Sequence, residues 1–185
     1  MSTPLTPAEA AANVRQCFAT TVALITSHNT EYGSNVMACE WTMNISWQPL
    51  RIMAVINHQE FTHGLITSNQ EFGVNLCSDQ QALLAHFAGT ISGRDQKKLE
   101  APIFTNLLYP GTRIKAPMIR GCLLNAECTV EQTVELGSHT AFIGRVVAVR
   151  IHPKAHPLFY HQGMFFSLGN HIPKSDELLD GRLAE

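Results

Sequence analysis

From Thr20 onward the chain is written in short runs of β-branched and apolar residues parted by turn residues, with no long helical pattern between them. Runs of this kind read as strands, and their spacing excludes the alternation of strand and long helix that builds a parallel nucleotide-binding sheet. The candidate strands are residues 20–27, 36–43, 51–56, 71–76, 124–130 and 141–151. In the fourth, Phe72, Val74 and Leu76 share a face; in the last, Ile143, Val147, Val149 and Ile151 do, with Arg145 interrupting. Glu135-Leu136-Gly137-Ser138 joins the final two strands as a hairpin. Helices are few. Thr6-Pro7-Ala8-Glu9 has the cap, the proline and the returning glutamate of a helix start, and that helix runs to about residue 16. Residues 61–68 read as a second helix, and Ser78 with Gln81 opens a third that ends near Gly89. The fold expected is mainly β, a closed or partly open antiparallel barrel with a few short peripheral helices.

A chain of 185 residues is one domain's worth, and 45% hydrophobic with 15% charged residues is the balance of a folded globular protein. The whole of 1–185 is therefore read as a single domain, closing in a charged tail, 174–185, that is expected to be mobile. A net charge of −2 supplies no field that would draw nucleic acid or an anionic membrane. No apolar run approaches the roughly 20 residues that span a bilayer, and the start of the chain lacks the pattern of a signal peptide, so a cytoplasmic location is expected. Cys17, Cys39, Cys77, Cys122 and Cys128 are odd in number and contain no C-x-x-C pair, which suits buried reduced thiols better than disulfides or zinc. His152 and His156 are four apart, but Pro153 and Pro157 spoil a helical ligand pair, and no metal is expected.

Three stretches carry chemistry. Ile91-Ser92-Gly93-Arg94-Asp95-Gln96-Lys97-Lys98 brings a hydroxyl, a glycine and three cations together just past a helix end, which is what a phosphate needs; a solvated basic turn has the same composition. Asn57-His58-Gln59-Glu60-Phe61-Thr62-His63 leads from a strand into a helix N-terminus that Thr62 is placed to cap, with free amides for an anion; an ordinary strand-to-helix loop also fits. Cys39-Glu40-Trp41-Thr42-Met43-Asn44 alternates polar and bulky residues at a strand end, where backbone groups can pair with the rim of a flat heterocycle; a core strand shares the pattern.

In their order along the chain, Asn35-Val36-Met37-Ala38, Trp41-Thr42, Pro49, Thr62-His63-Gly64-Leu65-Ile66, Glu71-Phe72-Gly73-Val74-Asn75-Leu76, Ser92-Gly93-Arg94-Asp95, Pro117-Met118-Ile119, Ala126-Glu127-Cys128 and Gly137-Ser138-His139 resemble the flavin reductase-like, FMN-binding split-barrel family, above all its flavoredoxin-type branch. The resemblance covers about residues 17–172. It implies a Greek-key split barrel, a homodimer, and FMN (FAD less readily) near the subunit interface. It also implies that Cys39, Glu40, Trp41, Thr42, Met43 and Asn44 line the isoalloxazine, while Asn57, His58, Thr62, Ser92, Gly93, Arg94 and Lys98 surround the ribityl chain and phosphate. His139 falls where the family carries a histidine near the reactive ring, and is the catalytic candidate. Two departures stand out: Lys97, Lys98 and Leu99 replace the usual residues after Ser-Gly-Arg-Asp, and Ser138 replaces an aspartate that would partner His139. The activity implied is reduction of flavin by NADH or NADPH, with electrons passed to an unidentified acceptor. The other activity implied is a flavoredoxin-like electron carrier, reduced by a redox protein and lacking a nicotinamide site. The aromatic stretch Phe159, Tyr160, Phe165 and Phe166 is expected to be buried against a second copy.

Overall fold

The computed structural model describes residues 4–170, so the charged tail lies outside the described residues. Helix α1 (Pro7–Val14) starts as its sequence requires: the Glu9 amide donates to Thr6 Oγ1 and the Thr6 amide donates to Glu9 Oε2 at 2.9 Å. A 3-10 turn, Arg15–Cys17, leads to β1 (Thr20–Thr21). The chain continues through β2 (Ala23–Asn29), β3 (Gly33–Cys39), β4 (Thr42–Trp47), β5 (Leu50–Asn57), α2 (Phe61–Asn69) and β6 (Glu71–Leu76). After a 3-10 turn at Asp79–Gln81 come α3 (Ala82–Thr90), two more such turns, β7 (Leu108–Tyr109) and β8 (Met118–Ile119). Two 13-residue strands, β9 (Leu124–Leu136) and β10 (His139–Ile151), precede β11 (Phe159–His161) and β12 (Met164–Phe166). Among the described residues no helix is long and apolar enough to cross a membrane.

Seven strands form one antiparallel sheet in the order β3-β2-β6-β9-β10-β5-β4. β3 and β4 occupy its opposite edges, yet only Glu40 and Trp41 connect them. Seven strands lying flat would be about 29 Å across. A two-residue link reaches at most about 11 Å. The sheet must therefore roll until its edges meet, and the closing contacts are present: the Val55 amide of β5 donates to the Trp41 carbonyl at 2.9 Å, and Cys39 Sγ of β3 lies 3.6 Å from the Val55 carbonyl. The rolled sheet encloses a core drawn from six strands, with Ile25, Cys39, Ile56, Phe72, Val74, Cys128 and Phe142 inside and Ile66 of α2 closing one end. β2 is buried on both faces, because Leu24, like Val22 just before the strand, points the other way into a second core under α3 with Leu84, Phe104 and Leu158.

Four expectations change. The strand expected over 36–43 is two strands, since the chain turns at Glu40-Trp41 to cross the seam. The terminal hairpin is longer than its apolar pattern suggested, and its turn shrinks to Gly137-Ser138, where Gly137 has φ 68° and side-chained residues are strained. Val147, Val149 and Ile151 do not face the core but are 37%, 45% and 63% exposed, because Phe142, Gly144 and Val146 take the inward positions of β10 and these residues alternate with them. Part of the aromatic stretch is engaged within its own chain: β11 pairs with β1 and with β12, and Tyr160 and Phe165 pack on the second core, while Phe166 is 42% exposed. Of the five cysteines, all free, four are buried and Cys17 is exposed.

Candidate functional site

Two cavities adjoin on one side of the barrel, and the β5–α2 connection divides them. The first, of about 720 Å³, lies between the β2–β3 end (Tyr32, Ser34, Asn35), the flank of α2 (Phe61, Gly64, Leu65, Ser68) and the loop from Gly93 to Lys97. The second, of about 400 Å³, is walled by Met37, Ala38, Cys39, Glu40 and Trp41 at the seam, by Val55, Ile56, Asn57 and Glu60, and by His139 and Arg15. Asn57 and Glu60 face the second and Phe61 the first, so an elongated ligand can lie across both.

At the first cavity the loop is pressed against its wall. A Cβ at position 93 would collide with the Asn35 side-chain amide and the Phe61 ring, so only glycine lets the backbone approach this closely. Ser92 Oγ accepts from the Arg94 amide at 3.2 Å and shapes the turn. Arg94 Nη1 donates to the Gln59 carbonyl at 2.8 Å, and its guanidinium lies 5.5 Å over the Phe61 ring, which leaves its other N–H groups for a ligand. Lys97 lines the same cavity, as do the carboxylates of Glu31 and Asp95.

The second cavity is set by the hairpin register. His139 pairs with Asn57 across β10 and β5, and its ring packs on Trp41 at 4.9 Å. The Ser138 hydroxyl lies 2.8 Å from His139 Nδ1, so the serine supplies the partner that the missing aspartate was expected to take away. Cys39 is fully buried and burial pushes its thiol up, so it stays neutral and serves as packing.

The structure brings Cys39, Glu40, Trp41, Asn57 and His139 together at one cavity and Gly93 and Arg94 at the other. It does not bring the rest there. Met43 and Asn44 are exposed on β4 beyond both cavities, because the strand leads away from the seam. Thr42 is buried and lines neither cavity. Thr62 is not a cap: Glu60 holds that position without a side-chain bond, and Thr62, the second residue of the helix, accepts from Asn35 Nδ2 at 2.8 Å. His58 turns to Glu135, with Nε2 3.0 Å from Oε2. Lys98 is buried, donating from Nζ to the Ala88 carbonyl at the end of α3 at 2.9 Å, and burial brings its pKa down to about 8. Lys97 takes the place expected of Lys98. Gln59 and Arg15 were missed: Gln59 acts through a carbonyl every residue has, and Arg15 reads as an ordinary solvated helix residue.

Residues 15–169 match the flavin reductase like domain family. The chain belongs to this family. Among its relatives within or beyond it, an Archaeoglobus fulgidus protein is 35% identical over 115 residues, covering 62% of this chain and 64% of that one. The NADH-dependent flavin reductase StyB of Pseudomonas fluorescens is 30% identical over 131 residues, 71% of each chain. The structure of flavoredoxin from Methanosarcina acetivorans superposes with a TM-score of 0.79 at 21% identity over 95% of both chains, which speaks for the fold. For a flavin reductase-like chain the two cavities are therefore the place to seek the flavin, and the Gly93 cradle with Arg94 fits its phosphate end.

Proposed function

We propose that this chain is a cytoplasmic flavin reductase that holds FMN across the two cavities, takes hydride from NADH or NADPH, and passes electrons to a small acceptor or a redox protein. The observation that carries this reading is the pairing of a cavity edged by Gly93, Arg94 and Lys97 with one walled by Trp41, His139 and the β3–β4 seam. The flavin supplies the two-electron chemistry when bound. The chain supplies position and charge. Arg94, held by Gln59 and Phe61, offers charge-assisted hydrogen bonds to a terminal phosphate, which favours FMN over riboflavin. With Nδ1 engaged by Ser138, Nε2 of His139 is the nitrogen left to address a bound ring and stabilise negative charge there. Trp41 and His139, in contact with each other, wall the cavity against water on that side. Five free thiols fit a reducing compartment.

The chain is proposed to work as a homodimer. Met43 (54% exposed), Ile45 (42%) and Trp47 (79%) form an apolar edge on β4, the strand that leads on from Trp41 at the rim of the second cavity, more than a solvated strand edge needs. A second copy covering that edge would also shelter the ring site.

The test is the absorption spectrum of the purified protein, with FMN added, before and after anaerobic NADH or NADPH. A flavin band that bleaches with either donor is the expected result. A protein that takes up no flavin overturns the reading, and one that holds flavin but is reduced only by a redox protein is an electron carrier instead.

A further inference from the structure

The ion pair between Arg15 Nη2 and Glu40 Oε1, 3.1 Å long, is a shared wall of three cavities. One is the ring-side cavity at the seam, of about 400 Å³. The others lie behind it: a space of about 200 Å³ under α3, with His86 and Phe165, and one of about 300 Å³ beside Phe18 and Gln162. Tyr160 lines both of the rear spaces. Arg15 belongs to the turn after α1, and Glu40 to the two-residue link that closes the barrel, so the pair ties the N-terminal segment to the seam. The rear wall is anchored elsewhere, by the β1–β11 pairing and by His161 Nδ1, 3.1 Å from the Phe18 carbonyl.

We propose that Arg15 is the anion-binding residue for the second reactant, and that Glu40 is its resident competitor. Resting on the flavin reductase reading of the ring-side cavity, this assigns the phosphates of the nicotinamide donor to the space that opens when Arg15 leaves Glu40. Three features support the assignment. Among the described residues Arg15 is the one lysine or arginine that lines any of the three cavities. Its side chain is 62% exposed, and among the described residues it makes one ion pair, to Glu40, leaving further donors of the guanidinium for a ligand. An ion pair this exposed contributes little to stability and exchanges readily for a phosphate, which guanidinium binds in a forked geometry. The guanidinium is also one of the groups shared by the front and rear spaces, so its movement away from Glu40 widens the space at the wall between them on the side beyond the ring.

Because Glu40 competes with the ligand for the same guanidinium, substitutions of the two residues shift donor affinity in opposite directions. Steady-state reduction is measured with NADH and with 1-benzyl-1,4-dihydronicotinamide, which has no phosphate, and FMN binding is followed separately by quenching of its fluorescence. Arg15→Ala raises KM for NADH about tenfold, and Glu40→Gln lowers it about threefold, the size of one charge-assisted hydrogen bond gained or freed. For each variant the effect on KM for NADH exceeds any effect on KM for the benzyl donor, and Glu40→Gln no longer lowers KM for NADH once Arg15 is alanine. Rising salt weakens NADH in the parent and not in Arg15→Ala. Failure of the parent to bind FMN or to oxidise NADH would overturn the flavin reductase reading. If the parent does both, equal effects of Arg15→Ala on the two donors, or a rise in KM for Glu40→Gln, overturn the role of Arg15 alone.

Discussion

Arg94 reaches back across the loop to the Gln59 carbonyl, 2.8 Å away, and so carries its charge to the junction of two elements far apart in sequence. A guanidinium fixed in this way loses little freedom on meeting a phosphate. Arg94→Ala should weaken FMN about ten- to a hundredfold, the loss of one charged hydrogen bond of roughly 1.5–3 kcal/mol, and leave riboflavin within about twofold. Paired titrations with the two flavins measure this. Lys97→Ala should weaken FMN more than Lys98→Met does, since Lys97 lines the cavity and Lys98 does not.

Gly93→Ala tests the cradle itself. A methyl group there meets the Asn35 amide and the Phe61 ring, so the loop must retreat from the wall. FMN affinity should fall at least as far as for Arg94→Ala, while the melting temperature drops by only a few degrees, as expected for a strain of about 1 kcal/mol at a loop. Retained FMN affinity would remove the loop from the site.

Lys98 predicts an unusual pH dependence. Burial lowers its pKa from the ordinary 10.5 to about 8, so between these values the unfolded chain binds more protons than the folded one. Stability from this group therefore rises with pH across roughly 8 to 10.5, by at most on the order of 3 kcal/mol. Melting temperatures of the parent and Lys98→Met should move in the parent's favour over that window. A gap that stays constant or closes would contradict the buried placement.

Glu127 acts in the same sense, in the acid range. Burial pushes its carboxyl up, but the amides of Thr112, Arg113 and Ile114 together with the Thr112 hydroxyl outweigh this and hold it below the usual value. Its stabilisation is present above the unfolded pKa and is lost as pH falls through the folded one. Glu127→Gln should cost about 2 kcal/mol near neutral pH, much less in acid, and speed hydrogen exchange at those three amides.

Assembly is tested at the β4 edge. Met43→Glu with Ile45→Lys should give a monomer by light scattering and, if the second copy shelters the ring site, faster oxidation of reduced flavin by oxygen. A parent that is already monomeric at micromolar concentration with flavin bound would end the dimer proposal.

The sequence alone determined the parts of this protein that depend on local chemistry. The alternation in β6, the capping residues Thr6 and Glu9, the Ser78–Gln81 helix start and the turn glycine at 137 each act within a few residues, so they can be read in place. The ordered set of segments also marked Gly93, Arg94, Asn57 and the 39–41 link as site residues. What the tertiary structure decided was where neighbours point. Lys97 and Lys98 are adjacent cations, yet one faces a cavity and the other caps the carbonyl end of α3, because a turn at Lys98–Glu100 rotates them apart. Thr62 looked like a cap, but Glu60 holds that position and Thr62, inside the first turn, leaves its hydroxyl to Asn35. Arg15 and Glu40 carry no shared pattern in the chain, 25 positions apart; they meet because the sheet has to roll for a two-residue link to join its edges. Closure is a property of the whole sheet, and contacts made by closure have no local signal.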